Sequence, residues 1–186
     1  VGRNMRIGVL GGSFDPVHLG HLLLAEQARQ ELELEKVIFI PSFLAPFKKE
    51  NAPALCRYKM VCLAIKRNPY FEVSFLEIKR KGVSYSIDTI RELKKVYDRE
   101  EMFFILGSDA WNHFSSWKEK DKLLQLVRFA VIERPGFPLK EQGAQKIEGE
   151  VFPISSSQIR EKVKRGESIR YLVPEAVRRY ILNKGL

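Results

Sequence analysis

The chain has 186 residues, with 32 Lys and Arg against 23 Asp and Glu, a net charge of +9, and 45% hydrophobic residues. That apolar content supports a packed core and argues against disorder. No apolar run approaches the roughly 18 residues of a membrane span, and Val1-Gly2-Arg3-Asn4 is too short and too polar for a secretory signal. A single domain over residues 5–186 in the cytoplasm is therefore expected, with Met5 as the natural start and residues 1–4 as an appended or upstream segment. Cys56 and Cys62, six apart on a predicted helix, face different ways, so reduced thiols are expected rather than a disulfide. The charge is uneven: net +5 in each of residues 55–100 and 158–186, and near zero elsewhere. A surplus of this size invites a nucleic-acid reading, but no long basic block forms, and no nucleic-acid partner is expected.

In chain order, Met5 to Leu10 reads as a buried strand running into Gly11-Gly12-Ser13. Leu24, Ala28 and Leu32 mark a helix over about 20–34. Val37-Ile38-Phe39-Ile40 is a second buried strand stopped by Pro41. Residues 55–67 are predicted helical, Phe71 to Ile78 a strand, and Ile87 to Tyr97 a helix. Met102 to Leu106 and Phe129 to Ile132 are apolar strands ending at Gly107 and Arg134. Residues 137–149 read as a polar surface loop and Val151-Phe152 as a short strand. Ile159/Val163 and Val177/Ile181 mark two closing helices, the last after Pro174. Continuous apolar strands alternating with helices predict an α/β fold: a Rossmann-like, doubly wound parallel sheet with a small C-terminal helical portion. Ligands bind such sheets at the carboxyl ends of the strands, where Gly11-Gly12-Ser13, Gly107-Ser108-Asp109 and Arg134 all fall.

The stretch from Gly11 to His21 is neither a dinucleotide fingerprint, lacking the third glycine, nor a P-loop, lacking Gly-Lys-Ser/Thr. Its glycines let backbone N–H groups approach a ligand. His18 and His21 share a face at a helix start, where the dipole favours an anion. A zinc site would need further ligands, and none is evident. Ile154-Ser155-Ser156-Ser157-Gln158-Ile159-Arg160 offers hydroxyls, free N–H groups and a guanidinium at a second helix start. Two anion-gripping helix ends suit a polyphosphate.

His18-Leu19-Gly20-His21 resembles the (H/T)xGH signature of the nucleotidyltransferase superfamily, and Ile154–Arg160 its ISSxxIR signature. Ser84 to Thr89, Gly107-Ser108-Asp109 followed by Trp117, Arg134-Pro135-Gly136 and Leu172-Val173-Pro174 extend the likeness, which runs from Met5 to Leu186, to the bacterial nicotinate-nucleotide adenylyltransferases. The resemblance implies transfer of the adenylyl group of ATP to nicotinate mononucleotide, giving deamido-NAD and pyrophosphate without a covalent enzyme intermediate. It implies His18, His21 and Arg160 as catalytic residues. ATP would be bound by Gly11, Gly12, Ser13, Phe14, His18, His21, Asp109, Arg134, Ser156, Ser157 and Arg160, and the mononucleotide by Lys48, Ser86 and Trp117. Ala45-Pro46-Phe47-Lys48 resembles the family's Pro-Pro-His-Lys loop with Phe47 in place of its histidine. Mg²⁺ is expected with the ATP phosphates rather than in a carboxylate cage, and a homo-oligomer is left open. Trp111 and His113 are read as packing or surface residues. The competing readings are phosphopantetheine adenylyltransferase, another adenylyltransferase of the fold, and a non-catalytic nucleotide-binding protein.

Overall fold

The computed structural model describes residues 5–46, 50–140 and 143–186. Strands β1 (Arg6–Gly12), β2 (Lys36–Pro41), β3 (Phe71–Val73), β4 (Glu101–Gly107), β5 (Arg128–Ile132) and β6 (Gln145–Ile147) form one sheet in the order β3-β2-β1-β4-β5-β6. Every pairing is parallel. Among the described residues the helices are α1 (Leu19–Glu31), α2 (Ala54–Ile65), α3 (Leu76–Arg80), α4 (Ser86–Lys94), α5 (Ser108–Trp111), α6 (Lys120–Leu126), α7 (Ser156–Lys164) and α8 (Glu175–Lys184), with a short 3-10 helix at Phe114–Ser116. This is the expected Rossmann-like arrangement.

The continuous apolar strands have a direct consequence. Successive side chains leave opposite faces of a strand, so a strand buried on both faces must be apolar throughout. In β4, Phe103 and Ile105 enter a core with α1, α2, α7 and α8. Met102, Phe104 and Leu106 enter a second core with α4, Trp111, Phe114 and Leu123. Gly8 in β1 is required by the first of these cores, because a Cβ there would stand 2.7 Å from Ile105 Cδ1 and 2.8 Å from Leu34 Cδ1. Cys56 and Cys62 are free thiols. Among the described residues no helix is long and apolar enough to cross a membrane.

Three predicted elements differ. The strand expected over 71–78 stops at Val73, and Leu76–Arg80 turns into α3. The ladder's last pair is Phe39 with Val73; the next β2 donor on that edge would be Pro41, which has no N–H to give. The expected loop over 137–149 contains β6, an edge strand whose Ile147 is buried against the sheet. Its neighbours Gln145 and Lys146 are exposed, so a single apolar residue carries it and periodicity is mute. Val151-Phe152 is not a strand: the Ile154 N–H returns to the Phe152 carbonyl in a tight turn, and Phe152 is exposed.

Strand order reverses between β1 and β4, since the chain runs outward from β1 through β2 to β3 and, on the other side, from β4 through β5 to β6. The crevice at their carboxyl ends is the expected ligand site of such a sheet.

Candidate active site

Two cavities open there, of about 540 and 660 Å³, and they share Gly11, Gly12, Ser13 and Asp109 as a common wall. The smaller is lined by Gly11, Gly12, Ser13, Phe14, His18, His21, Asp109, Arg134, Ser156, Ser157 and Arg160. Every residue expected to bind ATP is thus brought to one cavity. Ser86 and Trp117 line the larger one, as do Ala45 and Pro46. Phe47 and Lys48 lie outside the described residues.

In the smaller cavity His18 is the N-cap of α1, in extended conformation, and its side chain is buried. Its ring stacks on His21 with centroids 3.7 Å apart. His21 Nδ1 accepts from the His18 backbone N–H at 3.2 Å, which places the proton of a neutral His21 on Nε2. Phe14, held at φ 49°, sets its ring edge-on to His21 at 5.1 Å. Gly20 makes room for the stack, since a Cβ there would meet the His18 ring at 3.1 Å.

His18 Nδ1 is buried without a hydrogen-bond partner. Burial, followed by the positive charge of Arg134, pushes the His18 pKa down to about 3. The ring is therefore neutral at physiological pH and can donate from one nitrogen while accepting at the other. Unfolded, the same side chain titrates near 6.5. Its contribution to stability is complete above that pH and is lost as the pH falls from 6.5 toward about 3, where only the unfolded chain takes up the proton. The His18 ring resonances in an NMR titration are expected to show no step between about pH 5 and 8. A midpoint near the unfolded value would contradict the buried neutral ring.

The second helix start closes the same cavity. Ser155 is the true cap of α7: its hydroxyl accepts from the Gln158 N–H, and the Gln158 side chain accepts from the Ser155 N–H. That leaves Ser156 and Ser157 for other duties. Ser156 Oγ donates to the Pro16 carbonyl at 2.9 Å. Arg160 donates to the Asp15 carbonyl at 2.7 Å and to Ser157 Oγ at 3.1 Å. The starts of α1 and α7 are therefore tied together, both aimed at one space. Two residues past β5, Arg134 pairs with Asp109 at 3.0 Å and reaches the Ile154 carbonyl. By contrast, Lys162, Lys164 and Arg165 pair with Glu167 or Glu161 on the exposed far end of α7.

The larger cavity is mostly apolar, floored by Ile40, Phe104 and Leu106. Trp117 stands edge-on to Phe104 at 5.8 Å, and Ser86 is the first residue of α4. Trp111 is packed in the core, as expected, stacked on Phe114. Residues that sequence reasoning missed also line this space. His113, read as packing or surface, sits on its wall; its spacing of four from Asp109 was the available signal. Thr89, three after Ser86, donates to the buried Glu77 at 2.5 Å, and burial pushes the Glu77 carboxyl up. Lys118 lies over the Tyr85 ring and pairs with Asp88.

Among the described residues no three His, Cys, Asp or Glu side chains converge as a metal site. Three of the carboxylates lining the smaller cavity are engaged: Asp15 accepts from the Asn51 and Ala52 N–H groups, Asp109 pairs with Arg134, and Glu50 accepts from Ala45 N–H; Glu150 lines it as well.

Known proteins resemble this chain. The cytidylyltransferase-like family model matches residues 9–162. A protein of Thermus thermophilus named "Probable nicotinate-nucleotide adenylyltransferase" is 45% identical over 98% of this chain and 99% of its own. One of Desulfitobacterium hafniense with the same name is 44% identical over 97% and 95%. Among solved structures, Plasmodium falciparum nicotinic acid mononucleotide adenylyltransferase complexed with NaAD superposes with a TM-score of 0.85, covering 98% of this chain and 97% of that one. At 21% identity, that match speaks for the fold. With near end-to-end likeness at this identity, the chain belongs to the cytidylyltransferase-like proteins and, within them, to the nicotinate-nucleotide adenylyltransferase family.

Proposed function

We propose that this protein transfers the adenylyl group of ATP to nicotinate mononucleotide, forming deamido-NAD and pyrophosphate, with residues 5–186 acting as one catalytic unit. The observation that carries this reading is the pair of cavities sharing the Gly11–Ser13 wall. One is built of helix starts and cations and the other of apolar and aromatic side chains, in a chain of this family. ATP takes the smaller cavity as its Mg²⁺ complex, the metal held by phosphate oxygens and water. The mononucleotide takes the larger, its ring against Trp117 and its end toward Ser86.

An oxygen of the mononucleotide phosphate attacks the α-phosphorus of ATP. The new P–O bond forms as the bond to the bridging oxygen breaks, and pyrophosphate leaves with that electron pair. The nucleophile is already an anion, so no general base is needed, and catalysis is positioning plus charge stabilisation. His18 and His21 donate to the oxygens on which charge develops. Arg160 and the start of α7, with Ser156 and Ser157, hold the departing phosphates. Gly11 to Phe14 give backbone contacts, and Arg134 with Asp109 flanks the adenosine.

Incubation with ATP and either nicotinate mononucleotide or phosphopantetheine tests the reading. Pyrophosphate release with the first supports it, and turnover with phosphopantetheine alone overturns it. Gly107 offers a second check. A Cβ there would stand 2.5 Å from Asp109 Oδ1 and 2.6 Å from Arg134 Cδ, so Gly107→Ala pushes this pair out of place. The KM for ATP is expected to rise about tenfold, some 1.4 kcal/mol, with little change in Tm because the displaced atoms belong to side chains at a cavity wall. An unchanged KM would remove Arg134 and Asp109 from the donor site.

A further inference from the structure

Among the basic residues of segment 55–100, Arg57 on α2 has its side chain fully buried, at 1% exposure. It enters neither cavity. Its three nitrogens donate to three main-chain carbonyls: Nη1 to Ser13 at 2.7 Å, Nη2 to Phe43 at 3.0 Å and Nε to Ala52 at 3.0 Å. Ser13 belongs to the wall the two cavities share, while Ser42, Ala45 and Pro46, from the loop that follows β2, line the larger cavity. Phe43 and Ala52 bracket that loop. A side chain that were only filling the core would not need a guanidinium, because burying a charge without a direct carboxylate partner is costly. What a planar fork supplies, and a hydrocarbon or an ammonium does not, is a fixed angle between three acceptors.

Two further ties run beside it. The Asp15 carboxylate accepts from the Asn51 and Ala52 N–H groups, and Glu50 accepts from the Ala45 N–H and the hydroxyl of Ser42. With the Ser13 hydroxyl also donating to Glu50 at 3.4 Å, all three link the turn after β1 to the loop after β2.

We propose that Arg57 is a positioning residue that fixes the register between the ATP cavity and the mononucleotide cavity by locking the Ser13 carbonyl to the loop that walls the acceptor. The assignment rests on the adenylyl-transfer reading, because only a reaction joining the occupants of both cavities needs such a register.

The test is a comparison of three ligands by calorimetry on Arg57→Lys, which keeps the charge but not the fork, and Arg57→Gln, which removes the charge. ATP alone occupies one cavity, nicotinate mononucleotide alone the other, and deamido-NAD spans both. Each separate ligand adjusts to a shifted wall, whereas the spanning ligand cannot. ATP and mononucleotide are expected to bind within about threefold of the unsubstituted enzyme, while deamido-NAD weakens by about tenfold or more and kcat falls in parallel. Equal weakening of all three ligands, or a fall in Tm with all three affinities and kcat retained, would overturn the proposal. Failure of both variants to fold would assign the guanidinium to the core and overturn it too. Turnover by the unsubstituted enzyme reports on the adenylyl-transfer reading separately, so the two ideas fail in different columns of the same experiment.

Discussion

Replacing His18 by alanine is expected to lower kcat by about a hundredfold or more, corresponding to roughly 3 kcal/mol for one lost transition-state donor. The side chain is buried, stacked on His21 and neutral, with a ring nitrogen that no protein group satisfies. A neutral imidazole adds no charge to the resting ATP, so its hydrogen bond gains strength chiefly as charge grows on the α-phosphate oxygens. Loss should therefore appear mainly in kcat, with the KM for ATP changing much less. Stability should fall only by the packing lost with the buried ring stacked on His21. Steady-state kinetics paired with thermal unfolding check both halves. A turnover number near that of the unsubstituted enzyme would exclude His18 from the chemistry.

This site was legible because its parts are local in sequence. A helix start is written in neighbouring residues, so His18 to His21 and Ser155 to Arg160 declare themselves, and the parallel sheet brings their ends together without further instruction. The sheet itself was legible for a related reason: a strand buried on both faces has no polar alternation to confuse it. Contacts made between distant segments left no such trace. Glu77 fell inside a stretch that alternates like a strand, and only the end of β2 at Pro41 turns it into a helix and buries its carboxyl against Thr89. Arg57 looks in sequence like one more basic residue on a surface helix. Its three acceptors lie 44, 14 and 5 residues away, and no periodicity encodes that. The segment charge of +5 that opens near Arg160 also divides only in three dimensions. Arg160 turns toward Asp15, while Lys162, Lys164 and Arg165 close on glutamates.

Arg160→Ala is expected to cost about 2–3 kcal/mol in kcat/KM for ATP, on the order of 30- to 150-fold, as for loss of hydrogen bonds to charged groups. The loss should divide differently from that at His18. The β- and γ-phosphates are anionic both before and after bond breaking, so a guanidinium holding them binds ground state and transition state alike. KM for ATP should therefore rise several-fold, while the fall in kcat measures the extra charge on departing pyrophosphate. Arg160 also donates to the Asp15 carbonyl and to Ser157 Oγ, joining the two helix starts, so alanine removes a strut along with a charge. Arg160→Lys separates these roles: an ammonium keeps the field but not the two-pronged geometry. If attraction to phosphate dominates, the lysine variant recovers most of the KM; if the strut dominates, lysine resembles alanine in both constants. An Arg160→Ala enzyme with both constants unchanged would break the assignment of the α7 start to the leaving group.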